Sequence, residues 1–252
     1  MQEIFKRVGR FHTHFLEELE TVFNRCSSVS NVNIWYKKLD QLTRALEDEV
    51  GTYRQVEDHI FELKVINYLR NNFLRCKITY EPKGKKSQGK NCDVEVFYKD
   101  KRYLIEIKCF HPENKKQPIP QKYIAKNNVV IMDEGSYHSY QATRGHLMDV
   151  TYQAEEKIKN YDGEFISVLA VPDGFYLNIE ELRNFVFIYR NGQPRPDDPL
   201  GDMTMHNIKR PFEQLINQFW AFPFPQEGFT LKSGKMATIV APLRSQDTQL
   251  NL

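Results

Sequence analysis

Apolar residues in the first seventy positions recur at steps of three and four. Phe5, Phe11, Phe15, Leu19 and Val22 form one stripe, Ile34, Leu39, Leu42 and Leu46 a second, and Val56, Ile60, Leu63, Ile66 and Leu69 a third. Each set falls on one side of an α-helix, so three helices are expected, the first two separated by the turn-like SSVSN at 27–31. From residue 77 the period drops to two. Lys77–Tyr80 is a short strand candidate, and the Pro-, Gly- and Ser-containing stretch 81–91 reads as a loop. Two alternating runs follow, 92–98 and 102–110, joined by Lys99-Asp-Lys, which predicts a β-hairpin. Residues 111–139 read as loop. A helix is expected through Leu147, Val150, Ala154 and Ile158, and Phe165–Val171 and Val186–Tyr189 read as buried strands. A helix around Phe212, Leu215, Ile216 and Phe219 and a strand near Ala237–Ala241 complete the pattern. Helix, three strands, helix, strand is an α/β or α+β order.

Composition narrows the class. With 40% hydrophobic residues, 17 Phe and 13 Tyr over 252 positions, the chain has the apolar area that a packed core needs, which excludes disorder. No apolar stretch approaches the roughly 18 to 20 residues that span a bilayer. The opening MQEIFKRVGRFHTHFLEELE lacks an apolar export signal, so a cytoplasmic location is expected. Cys26, Cys76, Cys92 and Cys109 show no CxxC spacing and are expected as reduced thiols, with Cys92 and Cys109 opposite each other on the apolar face of the hairpin. The net charge of +2 hides an uneven distribution: residues 61–130 hold 16 basic and 7 acidic side chains, and residues 131–205 hold 6 and 13. A concentrated basic segment suits a polyanion, or it is a solvated face.

Glu-x-Lys occurs five times, and only Glu106-Ile-Lys108 sits in a strand beside another acidic strand. Alternation puts 106 and 108 on one face. A hairpin loop centred between 100 and 101 would set Asp93 against Lys108 and Glu95 against Glu106, collecting all four on one face. The other face would hold Val94, Val96, Ile105 and Ile107. Clustered carboxylates repel unless a cation sits among them, and hard oxygen donors of this kind suit Mg²⁺. Lys108 could then steer the attacking water and offset charge on a phosphate. The same pattern also fits an antiparallel pair with one solvated face laced by Glu–Lys pairs.

Asp93, twelve intervening residues, then Glu106-Ile107-Lys108 in an apolar strand resembles the signature of the PD-(D/E)xK nucleases, the restriction-endonuclease-like superfamily. The element order over residues 55–172 resembles their common core. The resemblance implies an α/β fold with an αβββαβ core, a central mixed sheet flanked by helices. It leaves residues 1–54 as a helical N-terminal extension and 173–252 as an α/β elaboration packed on the core. It implies Mg²⁺, with Mn²⁺ as substitute, held by Asp93, Glu106 and the carbonyl of Ile107, while Lys108 assists the water. Many members add a glutamate from the first core helix; Glu62 is the candidate, with Glu57 and Asp58 competing. The family's proline before the aspartate is Cys92 here.

The function implied is Mg²⁺-dependent endonucleolytic hydrolysis of DNA, duplex rather than single-stranded, with a type II restriction enzyme as the first choice. A repair, defence or mobile-element nuclease, or a binding module that keeps the fold without catalysis, are the alternatives. A homodimer would suit a palindromic site, though no residue demands one. Lys83, Lys85, Lys86 and Lys90 lie in the loop before Asp93, where they could meet a phosphate backbone or stay solvated. Gln153 and Lys157, four apart on the next helix, could reach the site from one face or simply face solvent. His111, His138 and His146 flank the signature and are more readily satisfied by local hydrogen bonds than by a metal.

Overall fold

The three N-terminal stripes become α1 (Leu16–Arg25), α2 (Val32–Glu47) and α3 (Tyr53–Asn72), with a single 3-10 turn at Cys26–Ser28. The computed structural model describes residues 3–4, 16–48, 51, 53–73, 75–85, 91–109, 135–173, 179–223 and 237–240. Helix α3 is buried nearly all round, through Val56, Ile60, Phe61, Leu63, Val65, Ile66 and Leu69, because it lies between α1–α2 and a sheet.

The strands are β1 (Lys77–Tyr80), β2 (Val94–Tyr98), β3 (Lys101–Ile107), β4 (Ile166–Asp173), β5 (Gln218–Pro223) and β6 (Ala237–Val240). Among the described residues they form one sheet in sequential order. The pairings β1–β2, β2–β3 and β5–β6 are antiparallel, and β3–β4 and β4–β5 are parallel. Both faces are covered. Val94, Val96, Tyr103, Ile105, Ile107, Val168, Ala170 and Trp220 pack beneath α1–α3. Leu104, Leu169, Val171, Phe219 and Ala221 pack beneath α4 (Gly135–Ile158) and α5 (Ile179–Asn191). The short α6 spans Gly201–His206. The molecule is therefore α/β, a mixed sheet flanked by helices. Burial on both faces explains why β4 reads as an unbroken apolar run.

The hairpin forms, with a different register. Lys99 and Asp100 both take positive φ (49° and 60°), the two central positions of a tight turn whose twist suits antiparallel strands. The turn is centred one residue earlier than the sequence reading placed it. Glu95 therefore faces Leu104 rather than Glu106, and Val94 faces Ile105. A slip of two leaves the side chains of β2 and β3 on their expected faces. Of the two hairpin thiols, Cys109 joins the core under α1–α3 as expected, and Cys92 departs, joining the core under α4–α5. Cys92 precedes β2, where the alternation no longer holds, and its N–H donates to the Tyr161 hydroxyl (2.9 Å).

Two further elements differ. The predicted strand Val186–Tyr189 is the middle of α5, whose buried Leu182, Phe185, Val186 and Tyr189 keep helical spacing; acids in its first turn and Arg190 in its last suit the helix dipole. The predicted helix around Phe212–Phe219 is extended chain leading into β5, so Trp220 lies in a strand rather than a helix. Gln214 is left-handed (φ 57°), and the N–H groups of Glu213 and Leu215 donate to the Glu155 carboxylate and that of Ile216 to the Tyr189 hydroxyl. Side chains supply the acceptors that a helix would otherwise provide.

One contact closes an edge. Ser30 bridges Thr79 in parallel, with Ser30 N–H donating to Ile78 O (3.0 Å) and Tyr80 N–H to Ser30 O (2.9 Å).

Candidate active site

Strand β3 is where the sheet changes from antiparallel to parallel pairing, and the site lies at its C-terminal end. Asp93 N–H donates to Ile105 O (3.1 Å), and Asp93 O accepts from Glu81 N–H (2.8 Å), so its backbone is held between β1 and β3. Its carboxylate Oδ2 accepts the Ile107 N–H (2.7 Å). That bond holds the side chain and leaves Oδ1 free to meet Lys157.

Glu106 is wholly buried. Lys157, from the last turn of α4, places Nζ 2.6 Å from Glu106 Oε1, 2.7 Å from Oε2 and 3.4 Å from Asp93 Oδ1. One ammonium thus spans both carboxylates. Lys108 Nζ lies 2.7 Å from Glu106 Oε1, with a quarter of its side chain exposed. Burial, then repulsion from Asp93, pushes the Glu106 carboxyl up to about 7, against the pull of Lys108 and Lys157. Burial works against the charged form of both lysines, and Glu106 and Asp93 outweigh it, so both are raised. Burial, with Glu106 and Asp93 nearby, drives the Cys92 thiol far up, which leaves it protonated and inert.

Around this cluster, the Tyr161 hydroxyl accepts from Cys92 N–H and donates to Pro82 O (2.8 Å). Lys85 N–H donates to Asn160 O (2.8 Å), and its ammonium pairs with Asp162. The loop after β1 is thereby held against the turn that follows α4. Glu95 pairs with Arg102 (2.8 Å), one strand position away from the cluster, and takes no part in it.

Asp93, Glu106 and Lys108 are brought together as the sequence suggested. Ile107 contributes its N–H to Asp93, and its side chain lies in the opposite core. Glu62 has hydrogen-bond partners of its own: its Oε2 accepts the Tyr80 hydroxyl (2.7 Å) and meets His59 Nδ1 (3.1 Å), and His59 Nε2 donates to Trp35 O (2.7 Å). Tyr80, its hydrogen-bond partner, lies near enough to Asp93 to feel the charge of both acids. Glu57 and Asp58 are half-buried on the same helix. Lys83 and Lys85 are exposed, and Lys86 and Lys90 lie outside the described residues. His146 is exposed, and neither His111 nor the His138 side chain is among the described parts of the chain. Lys157 is the member whose role the spacing left open, since four-residue spacing from Gln153 also fits a solvated helix face.

Sequence reasoning missed a second buried cluster. Arg144 on α4 is 1% exposed; it takes Asp198 bidentately (2.8 Å twice), Glu181 (2.6 Å) and Thr204 (3.0 Å). No spacing links these positions, and Asp198 reads as part of a turn.

Among the described residues, no group of three or more His, Cys, Asp and Glu side chains is arranged to hold a metal. The oxygens that could hold a hard cation are those of Asp93 and Glu106. Two carboxylates plus water are a donor set that Mg²⁺ accepts, and the buried Glu106 already draws two ammonium groups to itself. These residues fit the ion in kind, with Lys157 standing between them. No helix among the described residues is long and apolar enough to cross a membrane. Comparison with family models, with curated proteins and with solved structures returns no match.

Proposed function

We propose that this chain is a Mg²⁺-dependent endonuclease that hydrolyses phosphodiester bonds in duplex DNA, built on a restriction-endonuclease-like core, with a type II restriction enzyme as the favoured role. The observation that carries this reading is the convergence of Asp93, Glu106 and Lys108 at one strand end, where the sheet switches from antiparallel to parallel. Mg²⁺, or Mn²⁺ in its place, would supply a polarised water and a counter-charge for the scissile phosphate. Asp93 and Glu106 would hold it through Oδ1 and the Glu106 carboxylate. Asp93 Oδ2 stays on the Ile107 N–H, which keeps the carboxylate aimed. Lys108, the more exposed of the two lysines, orients the attacking water and offsets charge on the phosphate.

A second reading has an observation in its favour. Lys157 neutralises the carboxylates from within the protein, as expected of a nucleic-acid-binding module that keeps the fold without catalysis.

Conversion of supercoiled plasmid to nicked or linear product, with Mg²⁺ and with a chelator, separates the two. Metal-dependent cleavage is expected, lost in Asp93→Ala while duplex affinity stays within a few fold. Lys108→Ala is expected to slow cleavage by about 10²- to 10⁴-fold. Cleavage that survives the chelator, or an Asp93→Ala protein that cuts at the wild-type rate, would remove the proposal.

A further inference from the structure

We propose that Lys157 is a built-in counter-cation for the Asp93–Glu106 pair, occupying the place that a divalent ion takes and giving it up when the ion and a phosphate arrive together. The proposal rests on the metal-dependent reading above and adds a control on how the ion enters.

The geometry is that of a substitute ion. Lys157 Nζ sits nearly equidistant from the two oxygens of Glu106, at 2.6 and 2.7 Å, and is the only group among the described residues that also bonds Asp93 Oδ1. Lys108 touches Glu106 Oε1 alone. An ion taking oxygens from both carboxylates must enter the space that this ammonium fills, and two cations cannot share it.

The lysine can leave without disturbing the fold. It lies in the last turn of α4, whose end is fixed separately by the Tyr161 hydroxyl and by Lys85 N–H on Asn160 O. A four-carbon stem lets Nζ swing while the helix stays in place. Expulsion into water alone costs the ammonium its anionic partners. Expulsion toward a bound phosphate supplies a new one, and Nζ then stands beside Lys108 as a second donor to substrate. Ion and phosphate therefore bind with positive coupling, and the coupling is reciprocal. An empty site holds the ion weakly, and a DNA-bound site holds it well.

Mn²⁺ binding to the full chain, read by electron paramagnetic resonance of the free ion, tests this without turnover. Lys157→Met keeps the stem and removes the charge. It is expected to bind Mn²⁺ at least about tenfold more tightly than wild type, since a neighbouring charge at this range shifts an ionic equilibrium by one or more powers of ten. Adding uncleavable phosphorothioate duplex should tighten wild-type Mn²⁺ binding, with a smaller gain in the variant. Asp93→Ala should abolish tight binding in both backgrounds. Equal or weaker Mn²⁺ affinity in Lys157→Met, with wild-type binding intact and dependent on Asp93, overturns the proposal and leaves the metal site standing. No Mn²⁺ binding in either protein overturns both.

Thermal unfolding gives a second readout, with Lys157→Gln alongside. Both variants should melt lower than wild type in chelator and gain more from Mn²⁺ than wild type does. A loss of fold in both that Mn²⁺ does not restore would make Lys157 a structural tie and overturn the proposal.

Discussion

Glu106 sets the pH at which the cluster can work. Its carboxyl is raised from 4.5 to about 7, first by burial and then by Asp93, so between those values the folded protein keeps a proton that the unfolded chain has released. Stability falls as pH rises through this window, by about 3 kcal/mol in total, and levels off above about 7. The raised lysines act elsewhere: their contribution is intact below their unfolded values near 10.5 and is lost only in stronger alkali. Urea unfolding at pH 5 and pH 8 should show the decline, and Glu106→Gln should flatten it. Metal binding requires the ionised form. Cleavage should therefore climb toward about pH 7, with a midpoint that moves down as Mg²⁺ is raised.

Helix α4 joins the two buried polar clusters, with Arg144 in its first half and Lys157 in its last turn. The bidentate Arg144–Asp198 pair is cut off from solvent, with side chains 2% and 0% exposed. Removing one partner would strand the other charge, and Arg144→Leu is expected to cost roughly 3 to 5 kcal/mol in chemical denaturation. Arg144→Lys should not restore it, because a single ammonium cannot satisfy Asp198, Glu181 and Thr204 at once. The contrast between the clusters marks what the sequence could say. Asp93, Glu106 and Lys108 were legible because strand alternation puts them on one face whichever even register the hairpin takes. The register itself was set by Lys99 and Asp100 adopting positive φ, which many non-glycine pairs do not do. Arg144, Asp198 and Glu181 come from three separate elements, so no local period ties them together. Glu155 is a related case. Its Glu-x-Lys is generic as a sequence, yet its buried carboxylate accepts the N–H groups of residues 213 and 215 in place of helix carbonyls, along the extended approach to β5.

Over the chain as a whole, basic residues concentrate in 61–130, and under the proposed function this segment would meet DNA. Four lysines lie between residues 83 and 90, in the sequence just before Asp93. Neutralising Lys83, Lys85, Lys86 and Lys90 together should weaken duplex binding at all sequences and flatten its log–log salt dependence by up to about four units. Lys85 should contribute least, since its ammonium already pairs with Asp162. Metal-site variants should leave the salt slope unchanged. A filter-binding series over salt concentration distinguishes the two classes.

The bridge between Ser30 and Thr79 has a consequence for solubility. Strand β1 borders the sheet, and the open amide and carbonyl groups of a border strand are a template for any passing extended chain. Ser30 takes the Tyr80 N–H and Ile78 O that would otherwise serve as that template, and the helices on either side of it bulk out the flank. Deleting residues 1–31 would uncover those groups together with apolar surface on α3. The shortened protein is expected to self-associate in a concentration-dependent manner, seen as rising scattering and thioflavin fluorescence, while the full chain under the same conditions stays clear.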